Sequence, residues 1–149
     1  MGHSVGAAAA LLHGSIHQDV RAVASLAAFA HPREVMRAFM AEKRAPYPLI
    51  GWYVVRHVQR VIGSTFDDIA PVNTMARVLC PVLVVHGLTG KVVPLGDATR
   101  LVASSSRVRL LQVDGEHDLR EALAPHAGTR VDFLRAACME GTSPSFAVG

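Results

Sequence analysis

Gly2-His3-Ser4-Val5-Gly6 is the stretch of this chain with the clearest chemical meaning. Its G-x-S-x-G spacing is that of a nucleophile elbow, a tight strand-to-helix turn that lifts a serine hydroxyl clear of the surrounding backbone. Such a turn is strained and crowded, so a side chain at either outer glycine is expected to collide with a neighbouring strand or helix. Ala7-Ala8-Ala9-Ala10-Leu11-Leu12 follows, a run of strong helix formers of the kind an elbow needs on its far side. Ser4 is therefore the candidate nucleophile. Only Met1 precedes Gly2, which leaves little chain for the strand that should lead into the turn.

Other reactive residue types offer less. His13 and His17 have i,i+4 spacing, but Gly14 lies between them and no third ligand is close in sequence, so no metal site is expected. Cys80 and Cys138 make no disulfide framework. Both read as small buried hydrophobes in a reducing compartment, which points to the cytoplasm. The sequence carries no phosphate loop, dinucleotide fingerprint or EF-hand spacing.

Composition bounds the elements that must position Ser4. The chain has 149 residues, of which 50% are hydrophobic and 18% charged. That is one domain, more apolar than usual, and suited to a buried parallel sheet. Formal charge is +3, yet the arginines are scattered and form no basic stripe with interleaved aromatics, which argues against nucleic acid as a partner. The apolar N-terminus lacks a Lys or Arg n-region and carries His3 and His13, so it does not read as a secretory signal. Residues 46–63 are apolar but interrupted by Arg56, His57, Gln59 and Arg60, which argues against a membrane span.

Along the chain, His13-Gly14-Ser15 reads as the stop of the first helix. VRAVASLAA (20–28) reads as a buried parallel strand. His31-Pro32 opens a helix to about residue 43, with proline tolerated in its first turn. Pro46 and Pro48 break it. GWYVVRHVQRVI (51–62) has apolar residues at helical spacing with Arg56 and Arg60 on a polar face. Residues 66–76 read as a connector with a turn at Pro71. PVLVVH (81–86) is a second strand, Pro94 starts a helix to about residue 103, and RVRLLQV (107–113) is a third strand. A last helix spans about 119–137 with breaks at Pro125 and Gly128, and residues 140–149 form a disordered tail. Helices alternating with buried strands predict an α/β domain with about three parallel strands and flanking helices.

Three further stretches, taken with Ser4, resemble the α/β-hydrolase fold family. Cys80-Pro81-Val82-Leu83-Val84-Val85-His86-Gly87 with Val92-Val93-Pro94 resembles that family's penultimate strand and acid loop. Val113-Asp114-Gly115-Glu116-His117 resembles its last strand and the turn that presents the catalytic histidine. The order serine, acid loop, histidine is also the family's. The resemblance covers almost the whole chain but only the C-terminal half of the family's sheet, beginning at the nucleophile elbow. It implies a serine hydrolase acting on a small-molecule acyl substrate, an ester, thioester or small amide, through an acyl-enzyme. Ser4 would be nucleophile, His117 general base, and the Val5 backbone N–H an oxyanion-hole donor at a helix N-terminus. No cofactor is implied, because triad and oxyanion hole supply the chemistry. Residues 45–76 lie where the family often inserts lid helices over the acyl pocket. Trp52 and Tyr53 there read as core or cap, with core the expectation for each.

Two departures qualify that picture. The family places an aspartate three positions after His-Gly, where this chain has Gly90. Loss of that carboxylate costs on the order of 10⁴ in kcat in a Ser-His-Asp enzyme. Candidate replacements are Glu34, after the first predicted strand, and Asp97, in the first turn after Pro94, where helix capping is its expected role. Asp118 adjoins His117, which points it the wrong way. The other departure is truncation: residues 1–139 read as the domain's second half, lacking the strands and the oxyanion donor of the first. A missing oxyanion donor costs roughly 10²–10³ in rate. The competing reading is thus a catalytically impaired fragment or a non-enzymatic interaction module. Strand 20–28 would then be an exposed apolar edge, through which a homodimer could pair.

Overall fold

The computed structural model describes residues 1–44, 50–89, 93–115, 119 and 121–140. The chain alternates strand and helix as the hydrophobic patterning requires. β1 (Gly2–His3) leads directly into α1 (Val5–Ile16), and β2 (Val23–Leu26) follows. Then come α2 (Pro32–Glu42), α3 (Trp52–Ile62), α4 (Phe66–Ile69) and α5 (Pro71–Met75). β3 (Val82–Gly87), α6 (Leu95–Ala103), β4 (Val108–Val113) and α7 (Ala127–Glu140) complete the order.

The strands form one parallel sheet in the order β1-β2-β3-β4, one more strand than the pattern predicts. The extra one is β1, which pairs Gly2 with Ser25 and His3 with Leu26. β2 is therefore not the edge: it lies between β1 and β3 with all four residues buried, and β1 takes the edge. β2 is also shorter than residues 20–28, because Ala27 turns to a φ of 50° and ends the extended run.

Alternation along the buried β3 sorts its side chains between two cores. Val82 and Val84 face Leu11 of α1, Met75 of α5 and Leu101 of α6. Leu83 and Val85 face Leu119 and Leu123, with Phe133 of α7 packed alongside.

Several element boundaries differ from the sequence expectations for physical reasons. α1 runs through Gly14 rather than stopping there. Gly14 is buried against β2, where a Cβ would sit 2.9 Å from the Val23 Cγ2. The glycine lets helix and strand approach closely and does not end the helix. Residues 66–76 hold two short helices, not a plain connector. Thr65 caps α4 in a reciprocal box with Asp68, and Pro71 opens α5 at its first turn. α7 begins at Ala127, after turns at 121–126, so Pro125 interrupts the helical run and Gly128 does not. Cys138 is exposed and Cys80 half-buried, so the burial expected of both fails for Cys138. Trp52 and Tyr53 are exposed on α3, which has no buried residue, so neither is core. Of the predicted tail, residues 141–149 lie outside the described residues.

Candidate active site

All strands being parallel, their C-terminal ends share one end of the sheet, where ligands bind in open α/β folds. Ser4 stands at that end, between β1 and α1. Its backbone has φ 53° and ψ −116°, in a region that non-glycine residues avoid at a cost of about 1–3 kcal/mol. The surroundings hold it there. Its N–H donates to the Leu26 carbonyl at 2.8 Å, and its carbonyl accepts from Ala7 and Ala8 at 3.0 and 3.2 Å. Its side chain makes no capping hydrogen bond to α1.

Gly2 is required by this turn. A Cβ there would land on the Gly6 carbonyl and lie 2.7 Å from the Ala7 nitrogen. Gly6 is different: a Cβ there would meet nothing within 4 Å among the described residues, so the expected collision holds for the first glycine alone. Val5 occupies the first position of α1. At that position an N–H has no intrahelical acceptor and lies at the positive end of the helix dipole, which favours a developing negative charge.

His117, Gly90 and Asp118 lie outside the described residues. The turns leading to the first two are joined: Leu88 N–H donates to the Val113 carbonyl at 3.0 Å and Thr89 N–H to the Gly115 carbonyl at 3.2 Å. Gly115 packs too closely for a side chain, since a Cβ would lie 2.6 Å from that of Ala122.

Glu34 and Asp97 are brought together by Arg100. The Arg100 Nη1 donates to Glu34 Oε2 at 2.7 Å and lies 3.9 Å from Asp97 Oδ1. The Arg100 hydrogen bond holds the Glu34 carboxyl below its ordinary range, and the carboxylate in turn raises the Arg100 guanidinium. Asp97 is buried and its Oδ2 accepts the Ala30 N–H at 2.9 Å. Its carboxylate therefore ties α6 to the loop between β2 and α2 instead of capping its own helix.

Two features escaped the sequence reading. His86 is buried at the end of β3, with Nε2 donating to the Val93 carbonyl at 3.1 Å and Nδ1 without a partner among the described residues. Burial pushes its imidazole pKa down from 6.5. The sequence signal was a lone histidine closing an apolar strand, which does not identify the acceptor seven residues away.

The second is an apolar cleft of about 500 Å³, lined in part by Val5, the residue after Ser4. Val5, Ala8, Ala9 and Leu12 of α1 form one wall. Pro32, Val35, Met36 and Phe39 of α2 form another, with Phe29 beneath them, and Val58 and Ile62 of α3 and Phe66 and Ile69 of α4 close the rest. α2 and α4 are fastened by His31, whose Nδ1 accepts the Arg33 N–H at 3.2 Å while Nε2 donates to Asp67 Oδ1 at 2.9 Å. Arg33 Nη2 adds a longer contact to Asp67 Oδ2 at 3.4 Å.

His13 and His17 stack with ring centroids 4.2 Å apart, and among the described residues no group of three His, Cys, Asp or Glu could hold a metal ion. Among the same residues, no helix is long and apolar enough to cross a membrane.

No protein-family model and no curated protein matches the chain. Solved structures do. An esterase from Pyrococcus furiosus superposes with a TM-score of 0.65 at 15% identity, covering 91% of this chain and 51% of that one. The 2,6-dihydroxy-pseudo-oxynicotine hydrolase superposes with a TM-score of 0.62 at 18% identity, covering 96% of this chain and 40% of that one. The esterase domain of a Rhodothermus marinus protein gives 0.57 at 21% identity, covering 91% and 57%. The chain has the α/β-hydrolase fold, and it spans between 40% and 57% of these structures' length.

Proposed function

We propose that this chain carries the nucleophile and the general base of a serine hydrolase that cleaves an ester, thioester or small amide bond. The observation that carries the reading is the backbone of Ser4, a non-glycine residue at φ 53° between a parallel strand and the N-terminus of a helix. Strain of this kind persists where the surrounding structure enforces it, and it clusters at sites of chemistry. The esterases and hydrolases that share the fold support the same class of reaction.

In this reading His117 takes the Ser4 proton as Oγ attacks the scissile carbonyl carbon. The tetrahedral oxyanion is met by the Val5 N–H and the positive end of the α1 dipole. Collapse of the intermediate breaks the bond to the leaving group, which departs with the proton held by His117. Water then attacks the acyl-Ser4 ester, His117 takes its proton, and the acid is released with Ser4 restored.

The test is hydrolysis of p-nitrophenyl acetate by the chain. Ser4→Ala and His117→Ala should each lower turnover by ~10²-fold or more. Turnover that survives Ser4→Ala contradicts the assignment.

One observation favours the second reading, a catalytically impaired chain or interaction module. Gly90 stands at the acid position, and both replacement candidates have other partners, Glu34 on Arg100 and Asp97 on Ala30. A cooperatively folded chain without Ser4-dependent turnover would favour it.

A further inference from the structure

We infer that the acyl part of the substrate is an uncharged aliphatic chain, seated in the cleft between α1, α2, α3 and α4, with Val58 and Ile62 of α3 setting the length accepted. This rests on the assignment of Ser4 as nucleophile. Val5, the residue directly after the nucleophile, lines the cleft. An acyl group esterified to Ser4 therefore starts one residue from the cleft's wall.

The lining decides the chemistry. Among the described residues every side chain lining the cleft is apolar, so a carboxylate, ammonium or sugar hydroxyl entering it would lose water without gaining a partner among them. A polymethylene chain loses nothing and removes apolar surface from water on both sides. Phe29 and Phe66, 6% and 4% exposed, make the floor, while Val5 and Ile62, 71% and 45% exposed, stand at the rim. At about 30 Å³ per carbon, the share of one water molecule in the liquid, an octanoyl chain occupies about half the cleft volume.

α3 sets the limit because it closes the cleft without belonging to either core. None of its residues is buried, so its inward residues can vary while the sheet and its helices keep their packing.

Two measurements test this. Across p-nitrophenyl acetate, butyrate, hexanoate and octanoate, kcat/KM should rise about fourfold per added methylene. Val58→Glu should bring the octanoate-to-acetate ratio to near one. In parallel, 1-alkanols from butanol to octanol should bind the Ser4→Ala chain with Kd falling about fourfold per methylene, a readout that needs no catalysis. Ser4-dependent turnover that ignores chain length would overturn the inference and leave the hydrolase reading standing. Alkanol affinity that is flat with chain length would overturn it as well. Length-dependent alkanol binding without any Ser4-dependent turnover would overturn both, because the cleft would then serve no acyl transfer.

Discussion

The Ser4 backbone N–H donates to the Leu26 carbonyl at 2.8 Å, so the strained residue that leaves β1 is held by the neighbouring strand. That bond and the close approach of Gly2 to Gly6 together define the turn. Strain sits on Ser4, and crowding sits on Gly2.

The two glycines of the motif should therefore respond differently. Gly2→Ala forces a methyl onto the Gly6 carbonyl and should cost about 1–3 kcal/mol, typical of overpacking. Gly6→Ala meets open space in the first turn of α1 and should leave stability unchanged or raise it by up to ~1 kcal/mol. Thermal unfolding of the two variants checks this, and equal losses would contradict it.

The carboxylates around Arg100 are expected to be structural. Asp97→Ala leaves the Ala30 N–H without its acceptor and should cost about 1–3 kcal/mol. Asp97→Asn keeps an acceptor oxygen and should cost less. Glu34→Gln loosens a half-exposed pair and should cost under ~1 kcal/mol. Urea midpoints rank the three. A large loss of esterase activity in Glu34→Gln or Asp97→Asn with stability preserved would make that residue the triad acid.

His86 predicts a pH dependence of stability. Its folded pKa lies below the unfolded value of 6.5 because burial disfavours the imidazolium. Below pH 6.5 the unfolded chain takes up a proton that the folded chain resists, so stability is full above 6.5 and falls as pH drops. His86→Gln removes the titrating group and should flatten that part of the profile. Urea midpoints between pH 7.5 and pH 5 measure it, and an unchanged slope in the variant would contradict the attribution.

Gly90 tests whether the acid is lost or relocated. Gly90→Asp returns a carboxylate to the loop that is joined through Thr89 and Gly115 to the turn leading to His117. It should raise kcat/KM for an activated ester by ~10²-fold or more, approaching the ~10⁴ that such a carboxylate contributes elsewhere. No change in Gly90→Asp, Glu34→Gln and Asp97→Asn alike would remove His117 as a triad base.

Local chemistry made part of this legible in the sequence. The β-branched run of β3, proline at the start of α2 and Gly2 ahead of Ser4 each act within a few residues, so their types identify their roles. Long-range contacts did not show. Gly14 looked like a helix stop because Val23, the side chain it makes room for, belongs to another element. Asp97 looked like a cap because its real partner, Ala30, is 67 residues away. The cleft was invisible for the same reason: four helices supply its walls, and only folding aligns their apolar faces. In α3 the aromatic residues suggested core, whereas Val58 and Ile62 are the ones that face the cleft.

The most direct measurement is covalent: exposure of the chain to a fluorophosphonate, followed by mass mapping of the adduct. A single phosphonylated residue, Ser4, is expected, with labelling slowed when octanoate occupies the cleft and absent in Ser4→Ala. An adduct on another residue, or labelling that persists at full yield in Ser4→Ala, would contradict it.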